Sequence, residues 1–200
     1  MCVICVSRKG AEQPDLDILQ TMFRNNPHGA GYMFARDGKV QIRKGFMKEA
    51  EFLKAVKAEK FTEDDVVVYH CRISTGAGVK PEMCHPYPLT DKREDMLKLE
   101  DECKIGVAHN GVIHQPGCEP DNYTDTQNFI ASYLSWIFDD EDAIHDKGNR
   151  QLISELTIGS KLAVLDGNGN LMLTGRWIEF EGLIFSNESF LPRWNLHSWM

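Results

Sequence analysis

Cys2 stands directly behind the initiator methionine. Removal of Met1, which methionine aminopeptidase performs before a residue this small, would leave one residue with both a thiol and a free α-amine. An α-amine titrates near roughly 7.7–8.0, so a useful fraction is neutral near physiological pH. It can take the thiol proton and return it to a leaving amine, so Cys2 is a candidate nucleophile carrying its own base. A buried cysteine acting as a small apolar residue is the plainer reading. His70-Cys71-Arg72-Ile73-Ser74-Thr75 sits where a strand runs out into a long loop. Arg72 can grip a carboxylate with two parallel hydrogen bonds, or make an ordinary surface ion pair. Asn110-Gly111 follows a strand end; a side-chain amide and a backbone N–H there can hold an oxyanion, or simply form a turn. Asp125, in a helix first turn, can bind a substrate ammonium or complement the helix dipole.

Six cysteines, at 2, 5, 71, 84, 103 and 118, are expected to be reduced. Cys2 and Cys5 form a C-x-x-C with no second pair to complete a four-thiolate site. On a strand over residues 2 to 6, positions three apart face opposite sides, so the two thiols diverge. His70, His85, His109 and His114, with Cys71 or Cys84, are zinc-type ligands without H-E-x-x-H or paired C-x-x-C spacing. The chain is expected to need no metal and no cofactor.

The elements that must position these residues follow from local patterning. Cys2 to Ser7 is apolar and β-branched, and reads as a buried strand. Asp15 to Asn25 spaces its apolar residues as an amphipathic helix, and Lys48 to Lys60 is a second. Gly31 to Ala35 and Val40 to Lys44 flank Asp37-Gly38, a hairpin turn. Val66 to Tyr69 and Ile105 to His109 are strands. Residues 74 to 90 form a long loop, the kind that often carries function. Residues 91 to 104 are densely charged and read as a solvated helix or surface excursion. Thr124 and Gln127 make a capping box that opens a helix through Phe129, Ile130, Tyr133, Leu134 and Trp136. A short helix is expected around Arg150 to Leu156. Lys161 to Leu165 and Leu171 to Thr174 flank Asp166-Gly167-Asn168-Gly169-Asn170, and Trp177 to Phe180 with Leu183 to Phe185 form a last pair. Strands in hairpins at both ends with helices between them argue for an α+β fold of antiparallel sheets.

Among 200 residues, 42% are hydrophobic and 26% charged, a globular composition. The net charge of -8 opposes general nucleic-acid binding, which needs a basic face. The apolar runs are too short for a bilayer and the start lacks the basic-then-apolar form of an export signal, so no membrane association and a cytoplasmic location are expected. No repeat or linker interrupts the chain, so residues 1–200 are read as one domain.

In order along the chain, these segments resemble the class II glutamine amidotransferases, a branch of the N-terminal nucleophile hydrolases. Cys2 matches that family's N-terminal cysteine. Asn26-Pro27-His28-Gly29-Ala30-Gly31 is similar to its Arg-Gly-Pro-Asp-Ser-Ala-Gly segment, with His28 near the usual Asp. His70-Cys71-Arg72-Ile73-Ser74-Thr75 is similar to its His-x-Arg-x-x-Thr, and Cys84-His85-Pro86 to its Ala-His-Pro. Val107-Ala108-His109-Asn110-Gly111-Val112-Ile113 is similar to its His-Asn-Gly-Ile-Ile, and Thr124-Asp125-Thr126 to its Ser-Asp-Thr. Lys161 to Thr174 and Leu183-Ile184-Phe185-Ser186-Asn187 look like family core strands.

The resemblance implies a four-layer αββα sandwich of antiparallel sheets. It implies that Cys2 attacks the side-chain amide of glutamine, with Asn110 and the Gly111 N–H as oxyanion hole. Arg72 would bind the α-carboxylate and Asp125 the α-ammonium, with Thr75 and His85 near the substrate. Residues 91–104 would be a charged insertion. Because the amidotransferase-like region uses nearly the whole chain, the expected role is a stand-alone glutaminase, or a subunit serving a separate ammonia-accepting synthetase. Two readings stand beside it: hydrolysis of another γ-glutamyl amide, and a non-catalytic interaction module that keeps the fold.

Overall fold

A computed structural model describes residues 2–74, 78–140 and 142–192. The fold is α+β, with two antiparallel sheets. The larger holds β1 (Val3–Ser7), β2 (Ala30–Arg36), β3 (Lys39–Phe46), β4 (Val67–Cys71), β6 (Glu100–Cys103), β10 (Ile178–Phe180) and β11 (Leu183–Phe185). Their order is β10-β11-β1-β4-β2-β3-β6. The smaller runs β5-β7-β8-β9, from β5 (Tyr87–Pro88), β7 (Ile105–Asn110), β8 (Lys161–Asp166) and β9 (Leu171–Thr174). Among the described residues, no helix is long and apolar enough to cross a membrane.

Strand alternation sorts the apolar side chains into three cores. On β1, Val3 and Cys5 face one way, into a cluster with Leu19, Met22 and Phe23 of α1 (Leu16–Asn25) and Phe52 and Val56 of α2 (Glu49–Glu59). Ile4 and Val6 face the other way, among Met33, Ile42, Val68, and Ala108, Ala163 and Leu165 of the smaller sheet. That sheet's far face packs Val107, Leu162 and Val164 against Phe129, Ile130, Leu134 and Ile153. These come from α3 (Asp125–Phe129), the π-turn Ile130–Leu134 that leads into α4 (Ser135–Ile137), and α5 (Lys147–Leu156).

Local chemistry explains the element ends. Asp15 caps α1 by accepting from the Ile18 N–H at 2.9 Å. Asp37 and Gly38, with φ of 53° and 74°, form the two-residue turn between β2 and β3 that needs positive φ at both positions. Thr124 and Gln127 exchange both hydrogen bonds of a capping box ahead of α3. Trp136, the last of the residues through which that helix was expected to run, is largely exposed. The π-turn before it is wider than an α-turn, so residues beyond it leave the stripe set by Phe129, Ile130 and Leu134.

Residues 91–104 also differ from expectation. Instead of a solvated helix, they form a 3₁₀ turn (Arg93–Leu97) that fully buries Met96, and then β6, which pairs with β3 from Val40↔Cys103 to Arg43↔Glu100. The charges serve an edge strand. Glu100 and Glu102 stay exposed, which discourages pairing with another chain. Lys44 fastens this segment from inside. Its Nζ donates to the carbonyls of Met96 at 2.6 Å and Glu82 at 3.0 Å and lies 4.0 Å from the Tyr87 ring centroid. Burial pulls this amine down to about 7.

Tyr32 is the hub of the helix-side core, with Phe34, Phe46, Phe52, Phe61 and Tyr69 all within 6.4 Å between ring centroids. Tyr32→Ala is expected to cost about 3–5 kcal/mol, the range for deleting a buried aromatic. Urea unfolding measures it; a loss under about 1 kcal/mol would mean that the core collapses around the gap.

Candidate active site

The start of β1 lies beside the end of β4, because Val3 pairs with Cys71. This register brings Cys2 to Ile73, 71 residues away: the Cys2 Sγ lies 3.4 Å from the Ile73 nitrogen and 3.5 Å from its oxygen. Asn187, just beyond β11, donates its Nδ2 to the Cys2 carbonyl at 2.7 Å. Cys2 is thus held from the ends of two strands, the thiol by Ile73 and the backbone by Asn187. Burial pushes its pKa up, opposed by the Ile73 amide and the Arg72 guanidinium. Cys5 points into the helix-side core, so the two thiols do diverge.

Arg72 is nearly buried. Its Nη1 donates to the Gly78 carbonyl at 2.8 Å and its Nη2 reaches the Ser74 Oγ at 3.3 Å. A guanidinium has five N–H donors, so these bonds aim the fork without exhausting it. The strand end that carries it is pinned by His28. The His28 N–H donates to the Arg72 carbonyl at 2.9 Å, and the His28 Nδ1 accepts from the Ser74 N–H at 2.9 Å.

Asp125 is the first residue of α3. Its Oδ2 accepts from the Ile113 N–H and its Oδ1 from the Thr126 N–H, both at 2.8 Å. The carboxylate therefore ties the segment after β7 to the helix start. The Thr126 Oγ1 lies 2.8 Å from His109 Nδ1 and 3.3 Å from His85 Nε2. His70 stacks on His85 with ring centroids 4.4 Å apart, and its Nε2 donates to the His109 carbonyl at 3.0 Å. The opposite ring nitrogens of all three histidines are buried without a partner among the described residues.

Burial lowers the pKa of His70 to about 3 and of His109 to about 4, and pushes His85 well below its ordinary value. All three rings are therefore neutral near pH 7. In the unfolded chain they titrate near 6.5. As pH falls from about 6.5 toward 4, the unfolded chain takes up protons that the folded protein refuses, so stability falls, by up to about 1.4 kcal/mol per pH unit and ring. The urea midpoint is expected to drop between pH 7 and pH 4.5, with a shallower drop in His70→Gln. A midpoint constant over that range would mean that the rings are not kept neutral.

Asn110 ends β7 and Gly111 follows it. The Asn110 Nδ2 donates to Ser186 Oγ at 2.8 Å, and Ser186 Oγ also accepts from the Ile4 N–H at 2.8 Å. Asn110 Oδ1 is buried without a partner among the described residues. Gly111 has φ of 150°, and a Cβ there would collide with the side chain of Ser160, so close approach as well as backbone conformation requires glycine.

Cys2, Arg72, His85, Gly111 and Asp125 all line one cavity of about 430 Å³. Asn110 is not in its wall, and stands behind it, between Gly111 and Ser186. Thr75 lies outside the described residues. A wider cleft of about 730 Å³, lined among others by Lys39, Asp91, Trp136 and Asp139, contains none of the described candidate residues, so the smaller cavity is the candidate site. No family model matches the chain, and no curated protein matches it. Among the described residues, no group of three or more His, Cys, Asp or Glu is placed to hold a metal ion.

Sequence reasoning missed several members of the site. His109 and Thr126 line the cavity, and Ser186 and Asn187 anchor Asn110 and the Cys2 backbone. The only signal for the last two was their place at the end of an expected strand. Their partners, 76 and 185 residues away, are set by sheet pairing.

Proposed function

We propose that this protein is an N-terminal cysteine amidohydrolase of the class II glutamine amidotransferase type, a glutaminase acting alone or with a separate ammonia-accepting synthetase. One observation carries the reading. A thiol, a guanidinium and a carboxylate from three separate segments share one cavity of about 430 Å³. A glutamine zwitterion needs one cation and one anion at its α-carbon and a nucleophile at its side-chain amide, and Arg72, Asp125 and Cys2 are those groups. The order helices, sheet, sheet, helices supports the αββα sandwich of the N-terminal nucleophile hydrolases.

With Met1 removed, the Cys2 α-amine takes the thiol proton and Sγ bonds to the amide carbon. The proton passes to the leaving nitrogen, the C–N bond breaks and ammonia departs. Water then cleaves the thioester, giving glutamate and the free thiol. The Gly111 N–H, on the cavity wall, faces the oxyanion, with the Asn110 side chain behind it. In this orientation the Asn110 amide spends its N–H₂ on Ser186 and leaves Oδ1 without a donor among the described residues. Turned over, Oδ1 accepts the Ser186 O–H while Ser186 still accepts from Ile4, and Nδ2 becomes the free donor that an oxyanion needs.

The test is labelling with a glutamine-mimicking diazoketone, read by intact mass, with Cys2→Ala as control. The expected result is a chain without Met1 carrying one adduct that Cys2→Ala lacks. Retention of Met1, or an adduct that persists in Cys2→Ala, would overturn the nucleophile assignment.

A further inference from the structure

We infer that the preferred substrate is a γ-glutamyl amide whose amine half carries an apolar group, with Val112 and Ile158 forming the surface that receives it. This rests on the amidohydrolase reading above and specifies its substrate.

The cavity is large for glutamine. Its volume of about 430 Å³ falls in the roughly 300–1,000 Å³ range of sites that enclose drug-sized ligands, whereas glutamine is a small zwitterion. The charged and nucleophilic groups, Cys2, Arg72 and Asp125, are matched to the glutamyl half. The rest of the wall has another chemistry. Val112 and Ile158 line the same cavity, together with Ile73 and Pro120. Ile158 is 80% exposed and Val112 45% exposed, although both are β-branched apolar residues. A single exposed apolar side chain needs no explanation. Two on the wall of the cavity that holds the thiol form a surface that a ligand can dry.

The position of this surface relates it to the leaving group. Val112 directly follows Gly111, whose N–H is the oxyanion donor of the proposed reaction, so it adjoins the carbonyl under attack. Ile158 lies in the turn after α5, and Ser160 binds that turn to Val112. The Ser160 Oγ donates to the Val112 carbonyl at 3.2 Å, and the Ser160 N–H donates to the Thr157 carbonyl at 2.9 Å. Gly111 packs directly on Ser160. The apolar ledge and the oxyanion donor are therefore one connected unit. With Arg72 and Asp125 holding the α-carbon end, an amine substituent has this ledge to occupy.

The chemistry is that of the proposed reaction. The Sγ–C bond forms, the C–N bond breaks, and the thiol proton leaves on the amine. Water then hydrolyses the thioester to glutamate. An apolar group buried on the ledge is expected to raise kcat/KM by about 10-fold or more, the scale for filling an apolar pocket.

The experiment compares kcat/KM for L-glutamine, γ-L-glutamyl-isobutylamide and γ-L-glutamylglycine, using protein whose lack of Met1 has been verified by mass. The isobutylamide is expected to exceed both others by about 10-fold, and Ile158→Asp to lower the isobutylamide-to-glutamine ratio by about as much. Ile158 is exposed enough for this change to leave folding intact. Glutamine cleaved as fast as the isobutylamide, or a preference unmoved by Ile158→Asp, would overturn the inference and leave the amidohydrolase reading standing. Failure to cleave any of the three would overturn both.

Discussion

Cys2→Ser is expected to lower kcat for glutamine hydrolysis by about 10³-fold or more while the protein remains folded. The substitution keeps size and hydrogen-bonding capacity, so the contacts with Ile73 survive. What changes is the ease of forming the anion. Burial already pushes the thiol up against the pull of Ile73 and Arg72. A hydroxyl, a far weaker acid, would be more difficult still to ionise in the same place. Glutamate release under saturating glutamine measures the effect, with the urea midpoint as the folding control. A serine variant that keeps more than about a tenth of the rate would show that Cys2 is not the nucleophile.

Arg72→Met is expected to lower kcat/KM for glutamine by about 10²- to 10³-fold, chiefly through KM. Methionine preserves much of the buried volume, but the substrate carboxylate would then meet no cation where the buried Arg72 guanidinium stood. Arg72→Lys is expected to recover only part of the loss, because an ammonium cannot reproduce the planar fork while also reaching the Gly78 carbonyl and Ser74. The KM-to-kcat split separates binding from structure. If the guanidinium only braces the loop, the methionine variant should lose stability and leave KM unchanged. Wild-type kinetics in the methionine variant would remove the carboxylate clamp from the proposal.

The legible parts of the fold were those with local causes. Asp37-Gly38 makes a hairpin because both positions tolerate positive φ. The Asp166 to Asn170 turn does so because the Asp166 carboxylate accepts from the Asn168 and Asn170 backbone N–H groups two and four residues on. Thr124 and Gln127 cap α3 within a single turn. The charged stretch 91–104 misled because its charge says only that one side meets water. Its strand pairing with β3 is a contact some 60 residues away in the chain, and no periodicity within the stretch records it. The exposure of Trp136 was hidden for a related reason. The π-turn Ile130–Leu134 buries Ile130 and Leu134 in the core of the smaller sheet and turns Trp136 away from it.

The candidate site divides the same way. The sequence by itself identified a thiol behind Met1, a strand-end arginine, an Asn-Gly turn and a helix-start aspartate, since each is a matter of residue type and immediate neighbours. Only the tertiary structure decided that Cys2, Arg72 and Asp125 share one cavity while the Asn110 side chain turns to Ser186 behind it. It also decided that three neutral histidines stand together and that Val112 is tied to the turn bearing Ile158. The physical reason is that turn and cap chemistry acts over a few residues, whereas a cavity wall is assembled from strand register and the packing of one sheet on another, which bring together positions far apart in the chain.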